Sequence, residues 1–227
     1  TLEGRGWSYE IVVGDSASTD DTADRALSSG IPVRVVSESQ AGKGRILTRA
    51  LGQCRGRVLA FIDGDLDLSP EELPRLIEPV LAGATCAVAA KEGAALAARP
   101  RLRRIGSRVV NTLARVLLRT GLTDHQTGMK AFSGDALRDV LPEVVETGWL
   151  WDTEVLWRLR RRGATFAEVP VTLTRARGSG FRGLRDSVDG ARQIMAMYRR
   201  VAVEPPVSLP GPTPARVTPP GDSRWTV

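Results

Sequence analysis

The sequence predicts an α/β fold in three layers (α/β/α), a Rossmann-like and mostly parallel sheet with helices on both faces. Two observations carry that prediction. Short strand-like runs recur at Tyr9 to Val13, Ile31 to Glu38, Val58 to Ile62 and Cys86 to Ala90, the first of them a β-branched run. Between them lie stretches with helical spacing, and strands that alternate with helices of this length build parallel sheets.

Taken in order, "YEIVV" ends in Gly14-Asp15, a strand running into a turn. "SASTDDTADRALSSG" follows, and Ser18 or Thr19 is expected to cap a helix reaching about Ser29-Gly30. Asp20 belongs to the same cap. "IPVRVVSE" is the second strand. "AGKGRILTRALGQCRG" opens on a glycine turn and becomes helical, with Ile46, Leu47, Ala50 and Leu51 on one face. Val58 to Ile62 is the third strand. Pro70 opens a helix whose Glu71 and Glu72 suit the N-terminal dipole. After Ala90 the rhythm changes. Arg101 to Thr120 reads as a long basic amphipathic helix, "MKAFSGDALRDVL" as strand then helix, and "DTEVLWRLRRRG" as helix. "FAEVPVTLTRA" is a late strand and "GLRDSVDGARQIMAMYRR" a second basic helix. Residues 1–200 thus form one domain, and 201–227 are Pro-rich and expected to be a disordered tail.

The chain has 227 residues, 42% hydrophobic and 26% charged, enough for one sizeable core. Net charge is +6 and nearly all of the positive side is arginine, since Lys43, Lys91 and Lys130 are the only lysines. Such an excess is either solvated surface or the mark of an anionic partner: nucleotide phosphates, an acidic membrane or nucleic acid. No nucleic-acid motif is present, which argues against the last. Cys54 and Cys86 lack metal-ligand spacing and are expected to be free thiols. No apolar run reaches membrane-spanning length.

The stretch "FIDGDLDLSPEEL" raises the chemical question. Asp63, Asp65 and Asp67 stand on alternate positions at the end of a buried strand. In an open parallel sheet, ligands bind beyond the carboxyl ends of the strands. Carboxylates gathered there repel one another unless a cation neutralises them. Hard oxygen ligands suit Mg²⁺ or Mn²⁺, which takes one or two carboxylates together with substrate phosphates. The bland alternative is a solvated turn capping the Pro70 helix. Asp15 also closes a strand, at a turn where a carboxylate and backbone amides could hold a base or ribose. Lys43 in "AGKGR" is a cation that could reach a phosphate, although the spacing is not that of a P-loop.

"VVGDSASTDDT", "GKGRILTRAL", "FIDGDLDLSPEEL", "DHQTGMKAF", "WDTEVLWRLRRRG" and "EVPVTLTRARGSGFRG" occur in the order seen in family-two glycosyltransferases. They resemble most the branch that makes dolichyl- or polyprenyl-phosphate mannose or glucose, over roughly Tyr9 to Arg200. The resemblance implies a GT-A fold, a nucleotide-sugar donor (GDP-mannose or UDP-glucose), a divalent cation, Mg²⁺ or Mn²⁺, and a polyprenyl or dolichyl phosphate acceptor. By it, Asp15 and Asp63 contact the nucleotide with Lys43 nearby. Asp65 is the metal ligand, and Asp67 joins the metal shell. "DHQTGMKAF" matches an acceptor-side motif containing Asp124 and Gln126, with Met129 where Phe is usual. Asp152 and Glu154 stand near the acceptor pocket, though both equally suit a helix N-terminus. "RARGSGFR" lies where the family has R-x-x-G-x-S-K, with Gly180 and Phe181 replacing Ser and Lys.

The mechanism implied needs little general-base help, because an acceptor phosphate is already anionic. Catalysis then rests on positioning and on neutralising the departing diphosphate. Lys130, Arg103, Arg177 and Arg182 are the candidate cations for the acceptor phosphate, with Asp65, Lys130 and Arg177 as the catalytic set. His125, the sole histidine, is expected not to be a catalyst. Trp149, Trp151 and Trp157 are expected to pack rather than bind sugar. A lipid acceptor would put the enzyme peripherally on the cytoplasmic face of the membrane, held through the basic helices. The family opens with a strand and a Pro-x-Tyr-Asn-Glu turn upstream of the motifs seen here. The chain is therefore expected to be a fragment, with a truncated inactive product as the alternative. The other rivals are transfer to a glycan, a sugar-phosphate nucleotidyltransferase, and an inactive nucleotide-sugar-binding module.

Overall fold

The computed structural model describes residues 2, 4–92, 112, 115, 119–172, 184–203 and 225–226. Strand β1 (Ile11–Ser16) pairs in parallel with β2 (Val33–Glu38), Ile11 opposite Val33 and Ser16 opposite Glu38. Helix α1 (Thr22–Leu27) connects them. It starts later than Ser18 or Thr19 because the Asp15 carboxylate accepts the Ser18 N–H at 3.2 Å and Ala17 takes φ 55. That turn keeps the chain out of helical geometry until Asp20, whose side chain accepts the Thr22 N–H at 3.1 Å.

The second sheet holds β3 (Val58–Ile62), β4 (Cys86–Glu92), β5 (Met129–Ser133) and β6 (Phe166–Thr172) in the order β3-β5-β4-β6. β4 and β6 are parallel. β5 runs antiparallel to both β3 and β4, which makes the sheet mixed within the expected α/β architecture. The reversal matters for the site, because it brings the start of β5 to the carboxyl end of β3.

Strand alternation divides the core into two halves. Val58, Ala87, Ala89, Met129 and Ala131 face α3 (Leu73–Leu81), whose Leu76, Ile77 and Val80 recur at helical spacing and are buried. A short 3₁₀ turn, Pro70–Glu72, precedes α3, and Ser69 caps it by accepting the Glu71 N–H. On the opposite face, Leu59, Phe61, Cys86, Val88 and Phe132 meet Leu137 and Val140 of α4 (Gly134–Val140). They also meet Trp151, Val155, Leu156 and Leu159 of α5 (Trp151–Arg161). Helix α2 (Lys43–Gly52) lays Ile46 and Ala50 on Val12 and Val36 of the β1–β2 pair. Two helical layers thus enclose the sheet strands.

Helix α6 (Leu184–Ala202) buries Ile194, Met197 and Val201 against Leu150 and Trp157, and Tyr198 stacks on Trp157 at 5.0 Å. One face of this basic helix is therefore domain packing. Among the described residues no ladder joins β1–β2 to the four-stranded sheet. The basic stretch over Arg101–Thr120 is described only at Thr112, Arg115, Arg119 and Thr120. Of the Pro-rich tail, Trp225–Thr226 bridges Trp7–Ser8 and residues 204–224 lie outside the described residues. No described helix is long and apolar enough to cross a membrane.

Candidate active site

Asp15 is the penultimate residue of β1, Lys43 opens α2 after β2, Asp63 follows the last residue of β3, and Gly128 precedes β5. These segments are tied to one another directly. Ser16 Oγ accepts the Gly42 N–H at 2.9 Å, joining the β1 end to the α2 entry. The Asp63 N–H donates to Gly128 O at 2.7 Å, joining the D-G-D turn to the D-H-Q-T-G segment. Gly128 is glycine for a steric reason, since a Cβ there would lie 2.5 Å from Asp63 Oδ2.

The side chains form an alternating row of charges. Lys43 Nζ stands 3.0 Å from Asp63 and 3.1 Å from Asp152 Oδ2. Asp152 Oδ1 accepts from Lys130 Nζ at 2.7 Å, and the same ammonium donates to Thr127 O at 2.6 Å. The Lys43–Asp152 contact is an ion pair without hydrogen-bond alignment, so Asp152 Oδ2 remains without a hydrogen-bond partner. Both ammonium groups also lie over the Phe61 ring, at 5.3 and 5.5 Å from its centroid. For Lys43, burial pulls the ammonium's pKa down, but Asp152 and Asp63 outweigh it and the net shift is upward. Lys43 is thus a fixed cation at the mouth of the D-G-D turn.

Asp65 and Asp67 occupy the outer part of that turn. Asp65 Oδ1 accepts the Asp67 N–H at 3.2 Å, and Leu66 between them sits at φ 52. A left-handed residue other than glycine costs about 1–2 kcal/mol, and such conformations concentrate at functional sites. Asp65 is exposed, and Asp67 Oδ1 is buried without a hydrogen-bond partner. An unsatisfied carboxylate oxygen beside an open one fits a hard divalent cation. Among the described residues no three His, Cys, Asp or Glu side chains cluster to hold an ion. These two carboxylates would need donor phosphates and water to complete a coordination shell.

The residues expected on the acceptor side are placed differently from one another. Lys130 requires a correction. It is fully buried and its Nζ is committed to Asp152 and Thr127 O, so it organises the site from beneath and does not face a phosphate. Asp152 and Glu154 are likewise fully buried and turn inward, Asp152 to the two lysines and Glu154 to a neighbouring loop. Gln126 donates to Thr153 Oγ1 at 2.6 Å, and Asp124 accepts the Gln126 N–H at 2.8 Å. Arg103, Arg177 and Arg182 lie outside the described residues. His125 is buried with Nε2 2.6 Å from Thr120 Oγ1. Burial, with Lys130 and Arg115 nearby and Asp124 opposing them, pushes its pKa down to about 4. That geometry suits a structural side chain.

Three features were not read from the sequence. Gly42 and Gly44 are not flexible hinges: a Cβ at either would lie 2.6 Å from Thr147 O or 2.7 Å from Glu146 O. Gly128 fits against Asp63 as described. Trp151 Nε1 donates to Thr48 Oγ1 at 2.7 Å, fastening α5 to α2. The spacing G-K-G marked the lysine but carried no sign of the loop that packs on it.

Residues 6–141 match Glycosyl transferase family 2. The chain is 33% identical over 207 residues to glycosyltransferase AglD of Haloferax volcanii, covering 88% of this chain and 33% of that protein. It is 31% identical over 212 residues to the polyprenol monophosphomannose synthase of Mycolicibacterium smegmatis, covering 82% of this chain and 80% of that one. The chain thus spans about a third of the length of one of these relatives and most of the other. A crystal structure of glucosyl-3-phosphoglycerate synthase from Mycobacterium tuberculosis, in complex with Mn²⁺, UDP and glucosyl-3-phosphoglycerate, superposes with a TM-score of 0.64. The identity is 26%, over 86% of this chain and 70% of that one.

Proposed function

The chain belongs to glycosyl transferase family 2, and from that premise we propose that it transfers a hexose from GDP-mannose or UDP-glucose to a polyprenyl or dolichyl phosphate. The observation that carries the reading is the convergence of Lys43, Asp63 and Gly128 beside the Asp65–Asp67 turn, at the carboxyl end of β3. A fixed ammonium paired with Asp63, on the same turn as the exposed Asp65 and an Asp67 oxygen without a hydrogen-bond partner, suits a diphosphate with its divalent ion.

Asp15 and Asp63 orient the nucleoside, and Lys43 holds the diphosphate by charge. Asp65 and Asp67 would hold Mg²⁺ or Mn²⁺, which supplies Lewis-acid neutralisation of the leaving diphosphate. The acceptor phosphate is its own nucleophile, consistent with the absence of a catalytic role for the buried His125. Arg103, Arg177 and Arg182 are the candidate cations to receive it, since Lys130 is fully buried. Contact with the inner membrane face would use the basic helices, with the lipid's phosphate brought to the protein's surface. The relatives named for polyprenol and dolichyl phosphate cover 82% and 86% of this chain. The sequence matches to glucosyl-3-phosphoglycerate synthases cover 33%, while a solved structure of one covers 86%, so a phosphoglycerate is the second acceptor class to test.

The test is transfer of labelled sugar from each donor, with Mn²⁺, to short polyprenyl phosphate or to 3-phosphoglycerate in parallel. Label in the lipid phase from one donor, lost in Asp65→Ala, supports the reading and names the sugar. Label only in the water-soluble product moves the acceptor to the phosphoglycerate class. Nucleotide binding without any transfer would mean an inactive binding module.

A further inference from the structure

Glu154 is a fully buried carboxylate whose acceptor capacity is spent on structure. Its Oε2 accepts the adjacent backbone N–H groups of Val145 (3.1 Å) and Glu146 (2.7 Å), and its Oε1 accepts Arg158 Nε at 2.9 Å. Arg200 adds a contact at 3.5 Å. Two successive amides held by one charged oxygen pin the loop on which they sit.

That loop is the surface against which the helix carrying Lys43 begins. Thr147 O accepts the Arg45 N–H at 3.1 Å, satisfying one of the four N–H groups that α2 leaves open at its start. Gly42 and Gly44, on either side of Lys43, approach so closely that a Cβ would lie 2.6 Å from Thr147 O or 2.7 Å from Glu146 O. The backbone on both sides of Lys43 therefore rests on the carbonyls of Glu146 and Thr147, which directly follow the two amides that Glu154 holds. From the same turn of α5, Asp152 reaches Lys43 Nζ at 3.1 Å.

We propose that Glu154 is a positioning residue for Lys43. Through the 145–147 loop it sets where the α2 backbone starts, and so where the ammonium meets the diphosphate of the donor. This rests on the reading of Lys43 as the diphosphate's cation. It differs from a direct acceptor role for Glu154, because nothing about the acceptor enters it.

The experiment is calorimetric titration of UDP and GDP, in Mn²⁺, into the full chain carrying Glu154→Gln, Lys43→Met, or both. Glu154→Gln keeps the shape but sets an amide NH₂ against either a backbone N–H or the Arg158 guanidinium. It should weaken nucleotide binding roughly five- to twentyfold. In the Lys43→Met background the same change should alter Kd less than twofold, because the effect travels through that side chain. Gly44→Ala presses both on Glu146 O of the loop and on Trp151 Cβ, each 2.7 Å from the new Cβ, and should show at least the same loss with the same masking. Circular dichroism sets a temperature at which every variant is folded. Equal weakening by Glu154→Gln in both backgrounds, or none in either, overturns the relay while leaving the functional reading standing. A wild-type chain that binds neither nucleotide overturns the functional reading and the relay with it.

Discussion

Replacing Lys130 by Met removes one charge from a row in which Asp63, Lys43, Asp152 and Lys130 alternate in sign. Lys130 and Asp152 are both fully buried and 2.7 Å apart. Removing one partner of such a pair costs about 3–5 kcal/mol, because the remaining charge stays desolvated. Lys43 still reaches Asp152 Oδ2 at 3.1 Å, so the lower end of that range applies. For a domain of this size, where each kcal/mol lowers Tm by roughly 2–4 °C, the melt should fall by about 6–12 °C. Adding Asp152→Asn restores neutrality and should recover at least half of the loss, even though it is a second change in the same core. Thermal melts of the two single variants and the double, followed by circular dichroism, are sufficient. A single-variant loss below about 1 kcal/mol, or a double variant no more stable than Lys130→Met, would refute the claim that this pair is a coupled unit.

Gly128→Ala should weaken metal-dependent nucleotide binding more than tenfold, because the new Cβ falls 2.5 Å from Asp63 Oδ2 and must turn that carboxylate away from Lys43. Titration of UDP or GDP reads it, and unchanged binding would show that Asp63 can relax elsewhere. His125 makes stability pH-dependent with a definite sign. Its neutral ring is kept in the fold down to about 4, whereas the unfolded chain takes up a proton near 6.5. Stability is therefore lost as pH falls from 6.5 towards 4, by up to ~3 kcal/mol. Urea midpoints at several pH values should fall more steeply in the wild type than in His125→Asn, and parallel curves would contradict the burial argument. Cys86 is fully buried and its thiol is pushed far up by desolvation, while half-buried Cys54 is raised as well, also mainly by burial. A thiol reagent under native conditions should modify Cys54 slowly and Cys86 only on unfolding. Rapid modification of both would mean that β4 opens.

The family was legible because its motifs are local: each is a strand end, its turn and the first residues of the next helix. The match over residues 6–141 bears out that reading. Strands β1 to β4 stood out as short strand-like runs, α2 as an apolar face at helical spacing because burial on one side leaves a periodic trace, and α3 by its Pro70 and acidic start. The antiparallel course of β5 left no such trace. Its residues Met129 to Ser133 would pattern alike in either direction, and direction is set by partners far along the chain. The start of α1 was misread for a related reason: Asp15, a residue of the preceding strand, takes the Ser18 N–H and delays the helix.

Asp15, Asp63, Asp65 and Asp67 stood out in the sequence as carboxylates at strand ends and Lys43 as a cation in a glycine turn, and the structure brings Lys43 within 3.0 Å of Asp63. Lys130, Asp152 and Glu154 were expected on the acceptor side, and in the structure all three are fully buried and paired with neighbouring groups. A charged residue in a sequence looks accessible, and only the folded packing shows otherwise, as where the Lys130 ammonium lies fully buried 5.5 Å from the Phe61 ring centroid. The same is true of Gly42, Gly44 and Gly128, whose missing side chains make room for Thr147 O, Glu146 O and Asp63. Chemistry that depends on residue type and short spacing is written in the chain order. Whether a given charge faces a ligand or another charge depends on which distant segment lies against it, and that contact exists only once the chain has folded.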